Sequence, residues 1–233
     1  MAPIPSGPIC VLGMHRSGTS CVTGLLQDAG VYLGDVSRQN PHNRKGNQEN
    51  GRIVDLHDAV LAANGGAWDD PPATVRWSPD EQARLRMLIA GYAGHPRWAF
   101  KDPRTLFTLS AWRQELPDMH YLATFRHPGA VAQSLHRRGG MPAERAHALW
   151  LRYNTRLLEY HRTLGFDLLC FDLDAAAYLE AAGHAFRRLG LDVSKTALGF
   201  FDERLRSVAV AAPFADPPAE VLALYERLRA CVR

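Results

Sequence analysis

A short apolar run that halts at a glycine is the feature that most constrains this chain. Ile9-Cys10-Val11-Leu12 ends at Gly13, and Gly13-Met14-His15-Arg16-Ser17-Gly18-Thr19-Ser20 then leads into a helical pattern from Ser20 to about Ala29. Four apolar residues are too few for an isolated helix and suit a buried strand. Strand, glycine-containing loop and helix in that order build an anion cradle. The glycines let the backbone turn tightly, successive N–H groups point inward, and the helix start adds the positive end of its dipole. Arg16 brings a full charge, and Ser17, Thr19 and Ser20 bring hydroxyls. The Gly-x4-Gly spacing matches a nucleoside-triphosphate loop, but that loop requires Lys after the second glycine, where Thr19 stands.

Three more short apolar runs, Trp98-Ala99-Phe100, Tyr121 to Phe125 and Leu168 to Phe171, read as buried parallel strands. Helical periodicity marks Gly51 to Ala63, Asp80 to Ala93, Leu106 to Glu115, Pro128 to Arg137, Pro142 to Leu164, Asp174 to Leu189 and Pro218 to Ala230. The alternation implies an α/β fold, a single domain over residues 1–233, with a mostly parallel central sheet flanked by helices and right-handed crossovers. Two irregular stretches, Gly34 to Asn50 and Asn64 to Pro79, are long for connections, and long loops near a phosphate-binding helix often carry the acceptor side of a site.

Composition excludes some classes. With 46% hydrophobic and 22% charged residues the chain has enough apolar surface to fold, so it is no disordered tail. A formal charge of +3 implies no large nucleic-acid footprint. Lys45, Lys101 and Lys195 are the only lysines, which fits either a genomic bias toward Arg or a need for planar groups that grip phosphate in two places. Cys10, Cys21, Cys170 and Cys231 form no C-x-x-C pair and read as buried thiols in a reducing compartment, hence a cytoplasmic protein. No apolar stretch is long enough to span a membrane, no export signal is visible, and no metal site is expected.

A second signal is Arg126-His127-Pro128 followed by Val131, Ala132 and Ser134. The strand Tyr121 to Phe125 delivers Arg126 to its carboxyl end, and Pro128 suits the first turn of a helix. Arg126 and Ser134, two turns further, can clamp one phosphate through a charged fork and a hydroxyl. Ordinary helix capping is the plain alternative.

Together these motifs resemble the sulfotransferases that use 3′-phosphoadenosine 5′-phosphosulfate (PAPS), above all the bacterial branch that opens with a strand and G-x-x-R-S-G-T-S. On that resemblance, Gly13 to Ser20 is the 5′-phosphosulfate loop, with His15, Arg16, Ser17, Gly18, Thr19 and Ser20 as cofactor contacts, and Arg126 with Ser134 holds the 3′-phosphate. Asn40-Pro41, Gly46, Glu49-Asn50, Trp68-Asp69 and Lys101-Asp102-Pro103-Arg104 also resemble that branch, as does the Cys170 to Leu191 region more loosely. The familiar cytosolic members carry Lys in the loop where Arg16 stands, and a catalytic His where Pro103 stands. Their terminal Gly- and Lys-rich loop is not recognisable, which leaves Arg204 and Arg206 as candidates for its role.

The resemblance implies sulfuryl transfer from PAPS to a hydroxylated acceptor, a small molecule or carbohydrate, leaving 3′,5′-adenosine bisphosphate (PAP). Such transfer needs in-line positioning, donors at the leaving phosphate and a base for the acceptor proton. Arg16, Ser17, Thr19 and Lys101 are the expected donors. Glu49 is the first candidate for the base and Asp102, between Lys101 and Pro103, the second. His57 and His120 read as structural histidines, while Trp68, Asp69 and Asp70 either line an acceptor pocket or anchor a loop. Two other readings stay open: a P-loop-like kinase or nucleotidase with Asp102 on magnesium, and a catalytically silent nucleotide-binding module.

Overall fold

The computed structural model describes residues 7–36, 45–193, 199–202 and 214–232. Four strands, β1 (Ile9–Leu12), β2 (Ala99–Lys101), β3 (His120–Phe125) and β4 (Asp167–Cys170), form one sheet in the order β2-β1-β3-β4. All pairs are parallel, with Cys10 opposite Phe100 on one side and Tyr121 on the other, and Phe125 opposite Cys170. Around it lie α1 (Thr19–Asp28), α2 (Gly51–Ala63), α3 (Pro79–Ala90), α4 (Thr105–Glu115), α5 (Pro128–Gly139), α6 (Ala143–Leu164), α7 (Ala175–Arg188) and α8 (Ala219–Arg229). The α/β expectation holds, and all four expected strands and eight expected helices are present to within a few residues.

The strand residues alternate between two cores, as a period of two requires. Cys10, Leu12, Phe100, Ala123 and Phe125 face a core shared with α2 to α6 and α8. Ile9, Val11, Ala99, Leu122 and Leu169 face a core shared with α1 and α7. Every residue of β1 is buried, which explains why its sequence is apolar throughout.

Helix ends follow local chemistry. Ser78 and Glu81 exchange bonds in a capping box that starts α3 at Pro79. α5 runs on past Arg137 until Gly140 ends it at φ 72°. Cys10 and Cys170 are buried as expected, whereas Cys21 in α1 and Cys231 just beyond α8 are partly exposed; no disulfide joins the four. Among the described residues no helix is long and apolar enough to cross a membrane.

The sheet order places the site. From β1 the chain moves to β2 on one side, then crosses to β3 on the other, so the carboxyl ends of β1 and β3 flank the point where the winding reverses, the usual ligand crevice of such sheets. Gly13 follows β1 there and Arg126 follows β3. Gly13 has φ 148°, and a Cβ on it would stand 2.4 Å from the Thr124 carbonyl oxygen and 2.9 Å from Thr19 Cγ2. The first contact is with backbone that cannot swing aside. Gly13→Ala is expected to destabilise the fold by about 1–3 kcal/mol, lowering the melting temperature by several degrees in a thermal unfolding scan; an unchanged midpoint would contradict this packing.

Candidate active site

The loop between β1 and α1 is open to an anion. Gly18, the residue before α1, has φ 87°, no side chain caps the first turn, and no acidic residue lies in it. The N–H groups of Thr19 and Ser20 therefore lack a helical acceptor, while those of Cys21 and Val22 donate to the Gly18 carbonyl. A Cβ on Gly18 would fall 2.3 Å from the Phe171 ring, so the glycine permits both the turn and the close approach of the chain beyond β4. Thr124 donates its hydroxyl to the Ser17 carbonyl at 3.0 Å, fastening the loop to β3. The Ser17 hydroxyl and His15 Nε2 are buried without a hydrogen-bond partner among the described residues. Buried polar groups left so are what a bound ligand or water would satisfy.

Arg16 adopts φ 67°, a left-handed conformation unusual for a residue with a side chain. That turn sends its guanidinium across the crevice, where Nε donates to Ser134 Oγ at 2.8 Å. Arg126 stands at the same junction, its Nε 3.8 Å from Asp172 Oδ1 and its guanidinium 5.6 Å from the centre of the Phe171 ring. Trp150 donates to the Arg126 carbonyl at 2.9 Å and fixes the strand tip. Burial and the positive charges of Arg138, Arg126 and Arg137 push the Arg16 pKa down, the mark of a crowded cationic cluster. Such a cluster stabilises an anion placed in it.

On the other flank, Lys101 at the end of β2 is buried and donates to Glu49 Oε1 at 2.5 Å and to Ser20 Oγ at 3.4 Å. The ammonium thus sits at the start of α1, with the Glu49 carboxylate against it. Ser20 itself donates to the Asn47 carbonyl at 2.8 Å, which ties the segment before α2 to the loop.

Asp102 lies deeper. Its Oδ2 accepts from His57 Nδ1 at 2.8 Å, and its Oδ1 accepts from the Arg104 backbone N–H at 3.1 Å and from Arg104 Nη1 at 2.9 Å. Trp112 Nε1 donates to His57 Nε2 at 2.8 Å; the indole can only donate, so the imidazole proton is on Nδ1 and points at Asp102. Arg104 also reaches Asp58 at 2.5 Å. Burial alone would raise the Asp102 pKa, but the hydrogen bond from His57 and the charge of Arg104 outweigh it and hold the carboxyl far below its ordinary range. For Arg104 burial would lower the pKa, and the Asp102 and Asp58 carboxylates instead raise it.

His15 projects to the same flank. Its ring meets Trp68 edge-on at 4.8 Å and Tyr153 at 5.8 Å. Burial first, then the charge of Arg104, with smaller effects from Lys101 and Arg138, push its pKa well below the ordinary value, so the imidazole is neutral. The segment that covers it is pinned to α6: Tyr153 donates to the Trp68 carbonyl at 2.7 Å, Arg145 pairs with Asp69 at 2.5 Å, Arg152 with Asp70 at 2.8 Å, and Arg156 donates to the Ala73 carbonyl at 2.8 Å.

The structure therefore brings His15, Arg16, Ser17, Gly18, Thr19 and Ser20 together with Arg126 and Ser134 on one side and with Lys101 and Glu49 on the other. Arg16 differs from expectation in pointing at Ser134. Asp102 is close but turned into its own buried network. Arg204 and Arg206, like Asn40 and Pro41, lie outside the described residues. The sequence reading missed Asp172, which accepts from the His127 N–H at 2.6 Å and the Tyr225 hydroxyl at 3.0 Å beside Arg126. It also missed Arg137 and Arg138, although their spacing of three and four from Ser134 places them on one helix face.

Neither a family model nor a curated protein sequence matches this chain. Among solved structures, the chain is similar to the sulfotransferase domain of the Synechococcus PCC 7002 olefin synthase, with TM-score 0.58 and 18% identity over 98% of this chain and 97% of that one. It is similar to the sulfotransferase domain of the curacin biosynthetic pathway, with TM-score 0.55 and 16% identity over 96% and 98%. It is also similar to the sulfotransferase STF1 of Mycobacterium tuberculosis H37Rv, with TM-score 0.53 and 18% identity over 97% and 77%. The fold is thus that of sulfotransferase domains across nearly the whole chain.

Asp102→Asn removes the charge that Arg104 and His57 are arranged around. Breaking a buried pair costs about 3 kcal/mol or more, roughly 6–12 °C in melting temperature for a chain of this size. Because the folded pKa of Asp102 is depressed, its stabilisation is complete above the unfolded carboxylate value near 4 and is lost as pH falls below it. The difference in unfolding free energy between wild type and Asp102→Asn is expected to be level from about pH 5 to 7 and to shrink toward pH 3. A difference that stays constant to pH 3 would contradict the ionised, paired carboxylate.

Proposed function

We propose that this chain is a PAPS-dependent sulfotransferase that moves a sulfuryl group to the hydroxyl of a small-molecule or carbohydrate acceptor. The observation that carries the proposal is the pair of anion subsites at the sheet's switch point, the loop before α1 and the Arg16–Ser134–Arg126 junction, joined by the Arg16 hydrogen bond. A donor with phosphates at both the 5′ and 3′ positions calls for two such subsites, whereas an ordinary mononucleotide calls for one. The fold shared with sulfotransferase domains supports the same reading.

In this reading Ser17, Gly18, Thr19 and Ser20 receive the 5′-phosphosulfate through N–H groups and hydroxyls, and the buried Ser17 hydroxyl gains its missing partner. Arg126, Ser134 and Arg16 receive the 3′-phosphate, with Arg204 and Arg206 as further candidates. PAPS supplies an activated sulfuryl group. Lys101, held at the start of α1 beside Ser20, stabilises charge on the departing 5′-phosphate. Glu49 takes the acceptor proton: Lys101 fixes Oε1, and Oε2 is left to accept from the hydroxyl. As that proton leaves, the acceptor oxygen forms the new bond to sulfur and the bond to the 5′-phosphate oxygen breaks. Asp102 serves by anchoring the Lys101–Arg104 turn, since both its oxygens are occupied. The same occupancy weighs against the kinase reading, which requires Asp102 to bind magnesium. Four thiols without a disulfide suit the cytoplasm, where thiols stay reduced.

The test is transfer of labelled sulfate from PAPS to a panel of hydroxylated acceptors, run with two variants. Arg126→Ala is expected to weaken PAP binding about 10- to 100-fold, the worth of a lost hydrogen bond to a charged group. Unchanged PAP affinity in a titration would remove the clamp. Glu49→Gln keeps the shape and removes basicity, so turnover is expected to fall by about 10² to 10⁴ while PAP affinity stays within about twofold. A fully active Glu49→Gln enzyme would mean that the base is another group or that the acceptor ionises unaided.

A further inference from the structure

The end of β4 brings an acid to Arg126. Phe125 and Cys170 stand opposite one another at the ends of β3 and β4, so Asp172, two residues past Cys170, lies beside the start of α5. Its two oxygens do different things. Oδ2 accepts from the His127 backbone N–H at 2.6 Å and from the Tyr225 hydroxyl at 3.0 Å, while Oδ1 stands 3.8 Å from Arg126 Nε. One oxygen is anchored and the other is presented to the guanidinium, at a distance that makes the contact an ion pair and not a hydrogen bond.

The anchor comes from the last helix. Tyr225 belongs to α8 and is buried under this junction, its ring edge-on to His127 at 4.9 Å, Phe125 at 5.8 Å and Trp150 at 6.5 Å. Burial first, and then the Asp172 charge, push the Tyr225 pKa well up, so the hydroxyl keeps its proton and donates to the carboxylate. Packing holds the ring, and the ring holds the acid. Trp150, which meets the same ring, donates to the Arg126 carbonyl at 2.9 Å, so α6 fixes the backbone of this arginine while α8 acts on its side chain.

A carboxylate beside a phosphate subsite repels the anion through space, so its presence there calls for an offsetting contribution. The neighbouring cations supply one. The positive charges of Arg126 and Arg16 oppose each other across the crevice, and the many rotamers of an arginine let it swing away. A fixed carboxylate at the Nε edge of a planar guanidinium sets the plane of the fork, and with it the directions of the two terminal nitrogens. We propose that Asp172, held by Tyr225, is the positioning residue of the 3′-phosphate subsite: it orients Arg126 before the nucleotide arrives, and α8 thereby sets the preference for a 3′-phosphate. The proposal rests on the PAPS reading and adds to it a residue and a helix that act through Arg126.

The experiment is calorimetric titration of the full chain with PAP and with adenosine 5′-monophosphate (AMP), for wild type, Asp172→Asn and Tyr225→Phe, with melting temperatures alongside. Asp172→Asn keeps an acceptor for His127 and Tyr225 and removes the charge. Through-space repulsion and positioning predict opposite signs: loss of a negative charge alone tightens PAP binding, whereas loss of orientation weakens it. PAP is expected to bind about tenfold more weakly to Asp172→Asn, with AMP affinity within about twofold of wild type. Tyr225→Phe keeps the ring and the carboxylate, and PAP is expected to weaken about three- to tenfold, again with little change for AMP. In an Arg126→Ala background neither substitution is expected to weaken PAP further, since the side chain they act on is gone. PAP affinity that is unchanged or higher in Asp172→Asn, or unchanged in Tyr225→Phe, would overturn the proposal, as would an equal loss for PAP and AMP, the mark of a general loosening. Wild type that binds PAP and AMP alike would remove the PAPS reading itself; discrimination present in wild type and intact in both variants would remove the positioning role alone.

Discussion

The hydrogen bond from Arg16 to Ser134 is the contact on which the site depends. It spans 118 residues of sequence and joins the first turn-forming loop of the chain to the helix after the third strand. It exists because Arg16 accepts a left-handed backbone, which sends a long side chain across the crevice in place of back along the loop. A left-handed non-glycine residue costs of order 1–3 kcal/mol unless its surroundings repay it. In the proposed complex, a 3′-phosphate held beside Arg16 and Arg126 contributes to that repayment.

Rigidity beneath the site comes from the opposite kind of arrangement. Asp102 is wholly buried and ionised, and every bond it accepts comes from a group that is itself held: His57 by Trp112, Arg104 by Asp58. A buried charge that loses one partner is costly, so such a network has one low-energy arrangement. It fixes the turn after β2 and with it Lys101, whose ammonium must stand at the start of α1. In the proposed transfer, cation and carboxylate there stand in place before any ligand arrives, as electrostatic stabilisation of a transition state demands.

Much of the fold was legible in the sequence because its signals are local. A four-residue apolar run that ends at Gly13, and proline at the first turn of α5, state strand and helix boundaries without reference to distant contacts. The loop from Gly13 to Ser20, between β1 and α1, was legible as a tight strand-to-helix turn for the same reason. The partners of its residues were not. That Arg16 would meet Ser134 depends on a backbone angle, and that Asp102 would be closed off depends on His57, 45 residues earlier, entering the core from another helix. His57 looked like an ordinary helix-face histidine, and only the packing of α2 against α4 sets it against Trp112. The arginines of α6 showed no pattern in sequence because their purpose is to hold a loop that lies some 80 residues before them.

The 3′-phosphate is the central claim, since it separates a PAPS site from every common nucleotide site. Isothermal titration with PAP and with adenosine 5′-monophosphate, identical but for that group, measures it directly. Two charged partners and a hydroxyl at the Arg16–Ser134–Arg126 junction are expected to make PAP bind at least about 100-fold more tightly, since hydrogen bonds to charged groups are worth about 1.5–3 kcal/mol each. Equal affinities for the two nucleotides would contradict the account.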